Sequence, residues 1–311
     1  MDRDMEKVVV LQGNALQKKE ETTTSICKKA TRVSDNIMYV LIYLSAGISV
    51  ALLIGILGYV FFKGIGEVNI SFLTSVTSVL KGTTGIAGNI VNTIYVILLT
   101  LLVAAPIGIG SAIYLNEYAK PGKIVKIIEF TTETLSGIPS IIFGLFGMVF
   151  FGTTLHLGYS LLTGSLTLAI MVLPLITRNT QEALKTVPDS YRSGALGMGA
   201  TKWYMIRTIL LPSAMPGIVT GIILAIGRIV GESAALLFTA GSGFLLPKSG
   251  MGYLTKILES GGTLTIQMYL SMSKGQYGVA FGIAVVLLII VLLINMLTKV
   301  LAGKLDVSKR D

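Results

Sequence analysis

Long apolar stretches separated by polar segments dominate the chain. Six of them contain 18 residues or more, at 37–62, 89–115, 134–153, 161–178, 209–238 and 277–302. Each is long enough to cross the hydrocarbon layer of a bilayer, about 30 Å thick, as an α-helix. The pattern therefore predicts an all-α polytopic membrane protein with six transmembrane helices.

Composition supports this class and accounts for the charge. Of the 311 residues, 52% are hydrophobic and 13% are charged, whereas a soluble domain has about 25% charged residues. With a cytoplasmic N-terminus, 19 Lys and Arg residues fall inside and 5 outside, and Arg228 lies within a span. By the positive-inside rule, we expect cytoplasmic tails at 1–36 and 303–311 around a plasma-membrane domain at 37–302. The net charge of +9 then needs no nucleic-acid partner.

The sequence lacks the motifs of several catalytic classes. It has no Gly-rich loop ending in Lys-Ser or Lys-Thr, the motif that cradles the phosphates of ATP. It has a single His, which makes a Ser/His/Asp catalytic triad implausible. No Cys/His cluster has the spacing of metal ligands. We therefore expect a protein that is not an enzyme and that has no metal or cofactor of its own.

The polar loop at 178–208 has an unusual composition. Pro188 and Asp189 in "EALKTVPDSYRSGALGMGATKWYMIRTILLP" (182–212) are typical of a helix start. Glycines follow where a surface helix would carry Lys and Glu, although each Gly costs about 1 kcal/mol relative to Ala. In a continuous helix, Leu196, Ala200 and Trp203 would share one face. A slim helix with such a face is suited to a groove on another protein.

This loop resembles the conserved cytoplasmic loop of ATP-binding-cassette (ABC) importer permeases. The family pattern is Glu-Ala-Ala, three residues, Gly, nine residues, Ile, one residue, Leu-Pro. Its places are held here by Ser193-Gly194-Ala195, Gly199, Ile209 and Leu211-Pro212, so that Ser193 and Gly194 depart from it. The resemblance implies the type I importer permease (MetI-like) fold. It also implies a coupling helix docked on a separate ATPase, which would bind ATP and Mg²⁺.

Three further stretches narrow the resemblance. They are "SGIPSIIFGLFG" (136–147), "LTLAIMVLPLITRNTQEALKTVP" (166–188) and "LAIGRIVGESAALL" (224–237), which are similar to phosphate importer permeases of the PstA type. Ser233 and Ala235 replace the Thr and Pro that are usual there. The resemblance implies phosphate import with a PstC-like second permease, a PstB-like ATPase dimer and a PstS-like binding protein. A permease for sulfate or molybdate, or an ion-gradient-driven carrier, remains as an alternative.

Arg228 and Glu232 stand within the fifth predicted span. An ionisable residue at the centre of a membrane helix costs about 2.5–3.5 kcal/mol and faces a bundle interior or an aqueous cavity by default. The guanidinium of Arg is suited to binding phosphate. Glu232, four residues later, is predicted to pair with Arg228 and so to weaken its binding of the anion. Arg228 could instead snorkel to the outer interface or form a structural ion pair.

Other polar candidates lie at the predicted span ends. Pro139 and Ser140 are secondary pathway candidates, because a helix bend with a hydroxyl donor could meet an anion, although Ser140 could equally bond back to its own helix. Asn89, Asn92 and Thr93 are weaker candidates for lining an outer mouth.

Overall fold

A computed structural model describes residues 33–78, 83–120, 122–247 and 252–305. Most of the two predicted tails lies outside these ranges. The chain divides into two compact units at Gly58 and Tyr59, and the packing below belongs to the second. The helices are α1 Val33–Gly64, α2 Ile70–Thr74, α3 Ala87–Ile113, α4 Lys123–Ser136, α5 Ser140–Gly147, α6 Leu161–Lys185, α7 Asp189–Gly197, α8 Lys202–Met205, α9 Leu211–Gly231, α10 Ala234–Thr239, α11 Gly252–Thr255, α12 Leu264–Ser273 and α13 Tyr277–Leu305.

Three wide π-helical segments extend these helices. Tyr114–Tyr118 continues α3, Met148–Thr154 continues α5, and Ile206–Leu210 joins α8 to α9. Pro212, which has no N–H to donate, lies in the first turn of α9 directly after the last of these segments.

The candidate membrane helices agree with the predicted class. In the described part of the chain, five helices are long and apolar enough to cross a membrane, and α4 with the extended α5 adds a sixth candidate that is bent by 101°. One small exception to the all-α prediction is a two-stranded antiparallel sheet, with β1 at Val76–Ser78 and β2 at Thr83–Ile86. The predicted all-α polytopic class is confirmed; six spans were predicted, and the described residues contain five, or six if the bent pair forms one span.

Two predicted spans had wrong boundaries. The third, at 134–153, begins inside α4, because α4 ends at Ser136 and the chain turns through Gly137–Pro139 before α5. The fifth, at 209–238, joins two helices, because α9 ends at Gly231 and Glu232 is extended (φ −79°, ψ 125°). Hydropathy averaged over the length of a span does not locate either break.

Helix α6 lies at the centre of the bundle and packs along α3 and α9. Its fully buried side chains, among them Leu168, Val172 and Ile176, form the main core with residues of α3 and α9. Glycines allow close approach, since a Cβ on Gly217 would lie 2.5 Å from the Cβ of Ala183, and one on Gly221 would lie 2.7 Å from that of Asn179. This small-residue contact fixes α9 against the end of α6 that leads into the coupling loop.

Candidate functional site: the coupling segment and the Arg228 face

The predicted coupling segment contains a nine-residue helix, α7. It begins after Pro188, whose ψ of 141° is extended, and Asp189 lies in its first turn, where a carboxylate is favourable. It ends in a Schellman motif: Gly199 has φ +83°, its N–H donates to Leu196 O (3.0 Å), and Ala200 N–H donates to Ala195 O (3.1 Å). The glycine at this motif position is therefore explained by the left-handed backbone conformation of the turn, which Gly adopts without steric cost.

This turn corrects the prediction of a continuous apolar face. Leu196, Ala200 and Trp203 do not lie on one helix, because α7 stops at Gly197. Trp203 belongs to α8, which Thr201 caps by accepting a hydrogen bond from Tyr204 N–H (3.3 Å). The i, i+4, i+7 spacing was misleading because the left-handed residue, Gly199, reverses the chain between the first and second positions.

Large apolar side chains are nevertheless exposed at the tip of this segment. Leu196, Met198 and Trp203 are 48%, 85% and 58% exposed. Ala195 is buried in a second core cluster with Leu184, Met205 and Leu210, which anchors the opposite side of α7. Exposed side chains of this size favour a partner surface, since a solvated loop has no need of them.

The remaining motif residues divide between docking and anchoring. Ser193 Oγ donates back to Asp189 O (3.1 Å), and a Cβ on Gly194 would have nothing within 4 Å. Neither residue therefore places a large side chain on the exposed side of α7. Leu211 packs against the second core cluster, and Pro212 lies in the first turn of α9. These two residues therefore fix the start of α9 and do not project from the tip.

Arg192 was not singled out from the sequence, yet it makes the densest polar contacts of the segment. Its Nε and Nη2 lie 3.2 and 3.0 Å from Glu117 Oε1, and its Nη1 lies 2.9 Å from Asp189 Oδ1. It also donates to Leu184 O and Val187 O, each at 2.9 Å. Asp189 could have been anticipated from its i, i+3 spacing, but Glu117 is 75 residues away and leaves no local signal.

Arg228 lies in the last turn of α9, on its exposed side. In the described part of the chain, its side chain has no ion pair and no hydrogen bond. The exposed positions along this side are mostly small or polar: Ser213, Pro216, Thr220, Leu224, Gly227 and Gly231. Exposed positions of α3 are instead large and apolar, as at Ile94, Leu98 and Leu102. The Arg228 face therefore differs from a surface made for lipid chains.

Glu232 does not pair with Arg228, which corrects the predicted i, i+4 contact. Its carboxylate Oε1 accepts from Ala235 N–H (3.1 Å) at the start of α10, and its carbonyl oxygen accepts from Thr265 Oγ1 (2.9 Å). The prediction required a continuous helix, whereas the chain becomes extended at Glu232. Arg228 thus keeps a charge that Glu232 does not neutralise.

Pro139 and Ser140 lie at the bend between α4 and α5. Pro139 is extended (ψ 138°) and exposed, and Ser140 is the half-buried first residue of α5. Helix α5 packs closely on α10, where a Cβ on Gly144 would lie 2.8 Å from Ala235 Cα. Ser140 thus begins α5, which packs beside α10, and Glu232 accepts a hydrogen bond at the start of α10. Ser140 and Arg228 are not in direct contact.

Asn89, Asn92 and Thr93 are buried and do not line a mouth, which is a further correction. Asn89 Nδ2 donates to Gly262 O (2.9 Å), and Asn92 Nδ2 donates to Gly243 O (3.0 Å) and Gly262 O (3.1 Å). Thr93 Oγ1 accepts from Leu264 N–H (3.0 Å). These side chains fasten the loop between α10 and α12 onto the first turns of α3.

Comparison with known proteins decides the family. The family described as "Binding-protein-dependent transport system inner membrane component" matches residues 104–310. The chain belongs to this permease family. It is 36% identical over 210 residues to the probable ABC transporter permease protein YqgI of Bacillus subtilis, covering 68% of this chain and 71% of that protein.

Two further matches bear on the subgroup and the fold. The chain is 36% identical over 180 residues to the phosphate transport system permease protein PstA of Xylella fastidiosa, covering 57% of this chain and 62% of that protein. A bacterial alginate ABC transporter structure shares the fold, with a TM-score of 0.63 at 13% identity over 88% of this chain and 96% of that one. The chain is thus a PstA-like ABC permease with the type I importer fold.

Proposed function

We propose that this chain is a permease subunit of an ATP-driven importer of inorganic phosphate. Two findings support the substrate: the similarity to permeases named for phosphate transport, and Arg228. The observation that carries the proposal is the position of Arg228, an exposed cation in the last turn of a membrane helix on a face of small residues.

The surroundings of Arg228 favour an aqueous pathway over lipid. A charged side chain within the hydrocarbon region is costly unless water or a partner solvates it. Gly227 and Gly231 leave open space on the helix surface close to Arg228 in sequence, since a Cβ on either would meet nothing within 4 Å. We infer that this face of α9 lines a pathway shared with a PstC-like second permease.

The chemistry of Arg228 suits an oxyanion such as phosphate. A guanidinium stays protonated and offers paired N–H donors that match the oxygens of an oxyanion. Because Glu232 uses its carboxylate to cap α10, Arg228 presents a full positive charge to the anion. Its exposure keeps binding weak, since water competes for the same donors, and a translocation site needs binding that is also easily reversed.

The energy for transport enters through α7. We propose that the exposed tip formed by Leu196, Met198 and Trp203 seats in a groove of a PstB-like ATPase dimer on the cytoplasmic side, where both termini also lie. A PstS-like binding protein delivers phosphate at the opposite end. Movement of α7 then switches the bundle between two discrete packings, in the manner of rigid-body transitions.

Reconstitution tests this function. Proteoliposomes containing the chain, its second permease and its ATPase, with binding protein outside and ATP inside, should accumulate [³²P]phosphate. A tenfold excess of sulfate or molybdate should leave that uptake unchanged. Equal competition by sulfate would identify a permease for another oxyanion. Uptake driven by an ion gradient in liposomes that contain the chain alone would instead identify a carrier.

A further inference from the structure

A buried ion pair joins the coupling helix to a membrane helix far away in sequence. Glu117 lies in the π-helical extension of α3, and Arg192 lies in the middle of α7. Their side chains are only 5% and 19% exposed, and the Arg192 guanidinium approaches Glu117 Oε1 through both Nε and Nη2. Asn116 Nδ2 also donates to Glu117 Oε1 (2.7 Å), so that this oxygen is saturated.

Arg192 also holds the turn between α6 and α7. Its remaining hydrogen bonds go to the carbonyl oxygen of Leu184 in the last turn of α6, to that of Val187 in the turn that follows, and to Asp189. One planar guanidinium thereby fixes three elements: the end of α6, the start of α7 and the end of α3. Multiple donors in a fixed fork geometry make Arg the side chain suited to this role, and Lys cannot reproduce it.

A second contact joins the same two regions. Lys202 Nζ lies 4.9 Å from the centre of the Tyr118 ring, and Tyr118 directly follows Glu117 in the π-helical turn. Arg192 lies in α7 and Lys202 in α8, so the two contacts involve both helices of the segment. A partner that pulls on the tip thus acts on α3 through both contacts, but only the Arg192–Glu117 contact is shielded from solvent.

We propose that Arg192 and Glu117 are a positioning pair that transmits the movement of α7 to α3. The inference rests on the proposed function, because it assumes that an ATPase moves α7. Because the pair is buried, the attraction between the two side chains is strong enough to make α7 and α3 move together. An exposed ion pair is screened by water and contributes little. The π-helical turn at Tyr114–Tyr118 supplies a segment that can change shape, since such turns often mark functional positions in helices.

A matched control is available in the same part of the chain. Arg178 also bridges two carboxylates, Glu133 (3.5 Å) and Glu182 (3.3 Å), and these side chains are 62–72% exposed. Arg178→Gln removes an ion-pair network of similar composition without touching α7. Its effect on coupling should be small, and it gives the baseline for loss of a surface charge.

The test uses the complete reconstituted complex and compares Glu117→Gln, Arg192→Lys and the double variant with Arg178→Gln. Phosphate transported per ATP hydrolysed should fall about tenfold in Glu117→Gln, within the range of typical couplings between sites, while the ATPase still co-purifies and hydrolyses ATP. The double variant should be no worse than the more impaired single variant, because both remove one contact. Arg178→Gln should retain the normal ratio.

Two results would overturn the inference. One is a transport-to-hydrolysis ratio in Glu117→Gln and Arg192→Lys equal to that of Arg178→Gln. The other is failure of both variants to assemble with the ATPase, which would make the pair purely structural. A complex with the native chain that hydrolyses ATP but moves no phosphate would instead refute the proposed function.

Discussion

Replacing Gly199 by Ala should weaken the end of the coupling helix through its backbone alone. Gly199 has φ +83°, and a Cβ at this position would meet nothing within 4 Å, so the substitution causes no clash. The left-handed conformation costs a residue with a Cβ about 1–2 kcal/mol. That change alters the equilibrium between closed and open forms of the turn by about 5- to 30-fold.

Gly194→Ala provides a control of opposite sign. Gly194 lies inside α7, and a Cβ there would also meet nothing within 4 Å. Because Ala is the better helix former by about 1 kcal/mol, this change should stabilise α7. An asparagine at position 199 should cost less than alanine, since Asn tolerates the left-handed region.

Hydrogen exchange of the full chain in nanodiscs measures these effects. The amides of Met198, Gly199 and Ala200, which donate to carbonyls of α7, report opening of the turn. Gly199→Ala should speed their exchange by about 5- to 30-fold, and Gly194→Ala should slow it. Exchange rates within twofold of the native rates in Gly199→Ala, or a change of the same sign in both variants, would refute the assignment of this turn.

Three further substitutions separate docking, packing and capping. Trp203→Ala should reduce co-purification of the ATPase while leaving thermal stability unchanged, because Trp203 is exposed; a drop in melting temperature would contradict this. Gly221→Leu should destabilise the bundle by about 1–3 kcal/mol through overpacking against Asn179, measured by thermal unfolding in detergent, whereas Gly227→Leu should not. Glu232→Gln should retain phosphate uptake because its amide oxygen can still accept from Ala235 N–H, and loss of uptake would restore a direct role for the carboxylate.

The sequence predicted the features that depend on composition and spacing. Hydropathy located the membrane helices, and the Pro188–Asp189 helix start together with the motif spacing located the segment, but the left-handed turn at Gly199 was not predicted. The end of α9 at Gly231 left no signature in the sequence, since Gly is also common within membrane helices. The predicted Arg228–Glu232 contact failed for this reason.

Contacts between distant parts of the chain were beyond sequence reasoning. Glu and Arg are both common residue types in polar loops, so Glu117 and Arg192 do not stand out. Only the folded chain brings Arg192 Nη2 to 3.0 Å from Glu117 Oε1. The same holds for Asn89 and Asn92, whose buried side chains bind loop carbonyls more than 150 residues away. A polar residue near a span end can line a pathway or fasten a loop, and its surroundings decide which.

We propose that Arg228 contacts phosphate in a pathway opened by a separate ATPase. The most direct measurement is ATP-driven [³²P]phosphate uptake by the reconstituted complex with Arg228→Met and Arg228→Lys, with ATP hydrolysis measured in the same vesicles. We predict that Arg228→Met abolishes uptake while the complex assembles and hydrolyses ATP, and that Arg228→Lys retains part of the uptake. Uptake at the native rate by Arg228→Met would contradict the account.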